Sequence, residues 1–403
     1  MVRFLQRTDK IYGIIMKRYL LATLLLSVLL PLGASAQWYL FPGSRHAKDS
    51  TKVERRDPFK PIGIEEEKAE TVEEEFALTR VALILPLRST GTPNGNFLDF
   101  YSGVLMAADN LSSSERHYEI SVFDSTVGLP GAGELEQSDI IIGPVSYDDV
   151  EKMLPRAHGK YIVSPLDPKV ASLTDRHNII QAPSGWEAQV DELVRWIGDD
   201  LRGGDAVVLL QSADERGGAI TSRLALKLGE AGIPYEITST PASKEGMVQG
   251  TCRFVIASEN DEFCSAAIRE IALMNIRGGR NAVYSTSKLR SLSDLEVESL
   301  HAAATRITAT YYADPNDLSV KRFADKYRRM FKGDPGQWVY QGYDLMNYFG
   351  SILNKDPDYW YAGLAGAPGK GLQTDFSFDA TGKTNTAVRR LRYNANNTIS
   401  LVR

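Results

Sequence analysis

The chain has 403 residues, 43% of them hydrophobic, and 46 Lys and Arg against 51 Asp and Glu give a formal net charge of -5. That is enough apolar material for two lobes, and a mildly acidic balance with no basic stripe among aromatics gives no footing for nucleic acid. The histidines His46, His117, His158, His177 and His301 lie scattered with no zinc-type spacing, and no P-loop, G-x-G-x-x-G or G-x-S-x-G element follows a strand, so no catalytic residue, metal or cofactor is expected.

In chain order, Met16-Lys-Arg18, the apolar residues 19–32 and Ala34-Ser35-Ala36 read as a secretory leader cleaved after Ala36. The apolar run of about 14 residues is short of the roughly 20 that span a bilayer, so a periplasmic protein without stable membrane insertion is expected. Residues 37–77 carry runs such as Glu65-Glu-Glu67 and too little apolar surface to offset the entropy of ordering, which predicts a disordered charged linker.

Residues 80–87 then read as a buried strand and 88–96 as a loop. Over 97–111, Phe97, Tyr101, Val104, Leu105 and Ala108 share one helical face. Strands are expected at 118–124, 139–143, 161–165 and 178–182, with a helix over 147–158. The alternation restarts with a helix at 186–201, a strand at 206–211, a helix at 219–231, strands at 235–238 and 253–258, a helix at 265–276 and strands at 282–285 and 307–311. Two helices at 319–331 and 338–353 follow, then a strand at 375–378 and an antiparallel pair within 391–402 turned at Asn394-Ala-Asn-Asn397. Repeated strand–helix alternation predicts an α/β protein with two similar lobes, each a mostly parallel sheet flanked by helices and joined by crossover strands. The expected lobes are 78–183 plus 312–372 and 184–311 plus 373–403.

Runs such as Ile140-Ile-Ile142 and Tyr161-Ile-Val163 are apolar on both faces, and both end at small hydroxyl residues, Ser146 and Ser164. In an open α/β sheet the crevice beyond the strands' carboxyl ends is where small ligands bind. Ser146 followed by Asp149 is either a helix cap or a cap that also touches ligand. Ser164-Pro165 either ends a strand or contacts ligand, and Tyr284-Ser-Thr-Ser287 is either contact surface or ordinary loop chemistry.

The order of these elements, with Ala82-Leu-Ile-Leu-Pro-Leu87, Ile142-Gly-Pro-Val-Ser146, Val163-Ser-Pro-Leu166, Phe323-Ala-Asp-Lys-Tyr327 and Gly342-Tyr-Asp344, resembles the type I periplasmic binding proteins. The nearest branch is the leucine/isoleucine/valine-binding one, with the binding-protein-like domains of penicillin-binding-protein activators. The resemblance implies a non-enzymatic clamshell that closes by hinge motion over a small polar ligand, such as an amino acid or other metabolite. It also implies crossovers near Pro183, 311–314 and 371–374. It implies ligand contacts from Ser146, Tyr147, Ser164, Pro165 and Asp167 in the first lobe and Arg216, Tyr284 and Ser285 in the second. Arg216 stands where an aromatic residue is usual. Acidic residues Asp124, Asp148, Asp149 and Asp167 crowd the first rim and disfavour an anion. The implied partner is an inner-membrane transporter or, in the alternative reading of an interaction module, a peptidoglycan-synthesis enzyme.

Export favours bridged cysteines, but Cys252 and Cys264 sit at the entry of one predicted strand and beyond its exit. Six strand residues span roughly 20 Å, and a disulfide needs Cα atoms within about 7 Å. Two buried free thiols are therefore expected.

Overall fold

The computed structural model describes residues 77–402, apart from 114, 213–217 and 257. The expected leader, the charged linker and Arg216 lie outside the described residues.

The first half runs β1 (Ala77–Leu85), α1 (Gly95–Leu111), β2 (Arg116–Asp124), α2 (Ala132–Glu136), β3 (Ile140–Ile142), α3 (Tyr147–Met153), β4 (Ile162–Ser164), α4 (Ala171–Thr174) and β5 (Ile179–Gln181). Its five strands are all parallel, in the order β2-β1-β3-β4-β5. Strand period decides how the apolar runs are shared. Val81, Leu83, Leu85, Ile140 and Ile142 join one core with Phe100 and Val104 of α1. Ala82, Ile84 and Ile141 join another, with Leu135 and Met153, on the opposite face. A strand covered by helices on both sides has no wet face, which is why its sequence does not alternate.

The second half runs α5 (Trp186–Asp200), β6 (Ala206–Leu210), α6 (Ala219–Glu230), β7 (Tyr235–Thr238), β8 (Cys252–Ile256), α7 (Asp261–Ile276), β9 (Asn281–Thr286), α8 (Val297–Ala302) and β10 (Arg306–Ala309). After β10 come α9 (Leu318–Phe331), α10 (Gln337–Leu353), β11 (Gly369–Lys370), β12 (Asp375–Phe376), β13 (Arg389–Tyr393) and β14 (Ile399–Val402). The second sheet has the order β14-β13-β10-β9-β8-β6-β7. Its centre is parallel, and β13 and β14 add the expected antiparallel pair at one edge. Residues of α5 and α6 cover one face and residues of α7 and α8 the other.

α10 returns to the first half and lies directly on α1. A Cβ at Gly103 would stand 2.0 Å from the Val339 carbonyl oxygen, and one at Gly342 would stand 2.0 Å from that of Phe100. Only two glycines let the helix backbones touch. The third crossover comes later than expected. Phe376 and Phe378 belong to the first core, where Phe376 stacks on Tyr348 with ring centroids 4.4 Å apart. Thr384 bridges Gln181 beside β5, so the chain joins the second sheet only at β13. Segment 375–387 therefore stays with the first half, because its two phenylalanines have their apolar partners there.

Cys252 and Cys264 are both buried and form no disulfide, as expected. The Cys264 thiol donates to the Ser258 carbonyl, and burial pushes the Cys252 thiol up to about 11.

Candidate functional site

Three connections join the halves, and they meet beside the first turns of α10. The Asp344 carboxylate accepts the backbone N–H groups of Leu372 at 2.7 Å, Gln373 at 2.8 Å and Thr374 at 2.9 Å. The Tyr312 N–H donates to the Gln373 carbonyl at 2.8 Å, which ties the second connection to the third. Arg389 completes the clamp through the carbonyls of Tyr312, Leu372 and Gly371 and an ion pair with Asp375 at 2.6 Å. Asp344 is only 2% exposed, and burial lifts its carboxyl to about 6 although the three N–H donors and Arg389 pull the other way.

Against this clamp lies a cavity of about 370 Å³. The first half supplies Leu166, just beyond β4, and Gln337, Trp338 and Gln341 from the first turns of α10. The connections supply Pro183, Thr310, Tyr311, Gln373 and Thr374. A concave space of this size with apolar walls and a few polar groups is the usual form of a small-ligand site.

Within the wall the amides are locked. The Gln373 side-chain amide donates to the Gln337 carbonyl at 2.9 Å and to Gln341 Oε1 at 3.2 Å. The Thr374 hydroxyl donates to the same Gln341 oxygen at 3.0 Å. Trp338 is held by Phe97, with ring centroids 5.8 Å apart. None of the described residues lining the cavity carries a charge. Among the described residues no group of three or more His, Cys, Asp or Glu could hold a metal ion.

The residues expected from sequence divide into three sets. Ser146, Tyr147 and Asp167 do come together, but as structure. Ser146 caps α3 by accepting the Asp149 N–H at 3.2 Å. Asp167 accepts the N–H groups of Tyr147 and Lys169, both at 3.0 Å. Ser164 is fully buried with its hydroxyl unpartnered, and Pro165 is buried next to it. From that strand end only Leu166 reaches the cavity.

Tyr284 and Ser285 do not face the cleft. β9 runs on through Thr286, so both are interior strand residues. The Tyr284 hydroxyl, fully buried, donates to Asp200 Oδ2 at 2.7 Å and accepts from Arg253 at 2.7 Å. The Ser285 hydroxyl donates to the Ile256 carbonyl of β8.

Of the acidic rim, Asp124 is also occupied. Asp124 accepts from Ser89 and Thr126 through backbone and hydroxyl groups; burial opposes ionisation, yet these bonds hold the carboxyl well below the usual range. Its charge is thereby spent on the loop after β1.

Gln337, Trp338, Gln341 and Gln373 were not foreseen as site residues. Their signal was present only as the glutamines four apart at the start of a helix and as the crossover at 371–374.

No protein-family model and no curated protein sequence matches the chain. Solved structures do. A protein assigned to branched-chain amino acid ABC transport in Rhodospirillum rubrum aligns over 81% of this chain and 100% of its own, with 15% identity and a TM-score of 0.58. An ABC transporter substrate-binding protein from Desulfitobacterium hafniense aligns over 81% and 100%, with 13% identity and a TM-score of 0.50. The C-domain of Haemophilus influenzae LpoA, described as a regulator of PBP1A, covers 81% and 100% at 15% identity and a TM-score of 0.48. With two helix-flanked sheets, three connections between them and the likeness to the Rhodospirillum and Desulfitobacterium structures, the chain has the fold of the type I periplasmic binding proteins.

Proposed function

We propose that the chain is an exported, non-enzymatic solute-binding protein whose two halves close over a small ligand. The observation that carries this reading is the cavity of about 370 Å³ at the meeting point of the connections, walled by α10 and by all three of them. A ligand seated there touches the segments whose dihedral angles change when the halves rotate, so its affinity for the closed form becomes the driving force for closure. The clamp of Asp344 and Arg389 holds these segments in register.

Small-angle scattering of the full chain with and without a metabolite pool should show a smaller radius of gyration on binding. Native mass spectrometry should release a bound small molecule from protein purified without denaturation. Unchanged scattering together with no released molecule would overturn the solute-binding reading in favour of an interaction module acting on a cell-envelope enzyme.

A further inference from the structure

The hydrogen bonds inside the cavity wall decide which atoms are left for a ligand. An amide oxygen has two lone pairs, and Gln341 Oε1 spends both on Gln373 and Thr374. The Gln341 side chain is thereby oriented, and its Nε2 group, two donors, has no hydrogen-bond partner among the described residues although Gln341 is only 8% exposed. Gln373 is the mirror case at 3% exposure: its Nε2 hydrogens go to Gln337 and Gln341, and its Oε1 has no donor among the described residues. Neither leftover atom is among the fully occluded unpartnered ones, and both residues line the cavity. The wall therefore offers a donor beside an acceptor, with Trp338 and Leu166 supplying apolar surface nearby.

Charge is the second constraint. Removing a carboxylate or an ammonium from water is costly unless an opposite charge meets it. The charges of the clamp are committed elsewhere, Asp344 to three backbone donors and Arg389 to three carbonyls and Asp375, and Arg290 beside Tyr311 is engaged with that residue's carbonyl. A hydroxyl group both donates and accepts, so neighbouring hydroxyls on an apolar ring satisfy the exposed pair without any charge to compensate, and an aromatic face covers the ring's C–H surface.

We infer that this cavity takes an uncharged, hydroxyl-bearing ring ligand of the neutral saccharide class, read by Gln341 Nε2 and Gln373 Oε1. The inference rests on the solute-binding reading and narrows it away from free amino acids.

The test is calorimetric titration of the full chain with D-glucose, D-galactose, N-acetyl-D-glucosamine and their disaccharides, beside L-leucine and L-glutamate. At least one neutral saccharide should bind and neither amino acid should. Gln341→Glu keeps an oxygen for Gln373 and Thr374 but replaces the free donor with an acceptor. It should weaken saccharide binding by about tenfold or more, the size of a lost hydrogen bond to a buried group, when titrated below the melting transition of the variant, which the nearly buried carboxylate lowers. Gln373→Leu should weaken binding similarly.

Saccharide binding indifferent to both variants would overturn the assignment of the reading edge. Binding of L-leucine or L-glutamate with loss in Gln341→Glu would overturn the neutral class while leaving solute binding intact. No binding of any probe, with no small molecule released from native protein, would overturn both.

Discussion

The two halves solve the same packing problem with different side chains. In the first, the interior under β1 and β3 is apolar and aromatic, with Phe100, Phe349, Trp360 and Phe376 all at 4% exposure or less. In the second, guanidinium and carboxylate groups are threaded into the core. Arg253 meets Asp205 at 2.6 Å with both side chains at 6% exposure or less, and it donates to the Tyr284 hydroxyl, which donates to Asp200. Asp199 and Asp200 close α5, at the negative end of its dipole, where a carboxylate is disfavoured. Arg306 and Arg390 offset that, at 2.8 Å from Asp200 and 2.7 Å from Asp199. An apolar core fails in proportion to what is removed, whereas an ionic one fails when one partner is left behind.

The largest expected effects test that difference directly. Arg253→Met should cost about 3–5 kcal/mol, because it leaves the Asp205 charge buried without its partner, and Asp205→Asn in the same chain should recover much of the loss. Phe349→Ala should also cost about 3–5 kcal/mol, but a further truncation such as Phe376→Ala should add to the damage. Denaturant midpoints decide: additive losses in both halves would erase the distinction.

A milder pair uses glycine. Gly342→Ala should destabilise by about 1–3 kcal/mol because α10 must move off α1. Gly229→Ala on α6 of the second half meets nothing within 4 Å and should stabilise by about 0.4–1 kcal/mol. A neutral Gly342→Ala in thermal melts would contradict the backbone contact.

Asp344 gives a pH signature to the first half. Its folded pKa of about 6 lies above the ordinary carboxylate value, so the folded chain keeps a proton that the unfolded chain has released. The stability this contributes is complete below the unfolded pKa and is lost as pH rises through about 6. The melting temperature of the wild type minus that of Asp344→Asn should therefore fall between pH of about 4 and about 7; a flat difference would put the carboxyl back at its ordinary value.

The smallest effect separates cap from ligand contact. Ser146→Ala should cost about 1 kcal/mol of stability, as a lost N-cap does, and Asn260→Ala at the start of α7 about the same. Ligand affinity in Ser146→Ala should equal that of wild type, and a tenfold loss in titration would return Ser146 to the site.

The architecture was legible because strands buried on both faces and helices with one apolar face carry their periods openly. Ile140-Ile-Ile142 admits little besides a covered parallel strand. The cavity was less legible. Trp338 sits at a helical apolar position and reads as core, and Gln341 acquires its meaning only through Gln373, a partner 32 residues on. Tyr284 and Ser285 were expected at the closing end of a strand, turned toward the cleft; β9 does contain them, but their hydroxyls are taken up inside the second half by Asp200 and the Ile256 carbonyl, partners that the sequence near 284 does not announce. The third crossover was misjudged because nothing local to Phe376 and Phe378 says that Tyr348 is waiting for them.

Four consecutive residues of α10 carry four separate duties. Gln341 faces the cavity, Gly342 permits contact with α1, Tyr343 packs on Phe323 of α9 at 4.5 Å between ring centroids, and Asp344 holds the connections. Drift at 342 and 344 is thus penalised by the scaffold whatever the protein does. Under the solute-binding reading proposed above, a homologue that keeps the glycine and the aspartate but exchanges the glutamine differs in ligand within the same hinge.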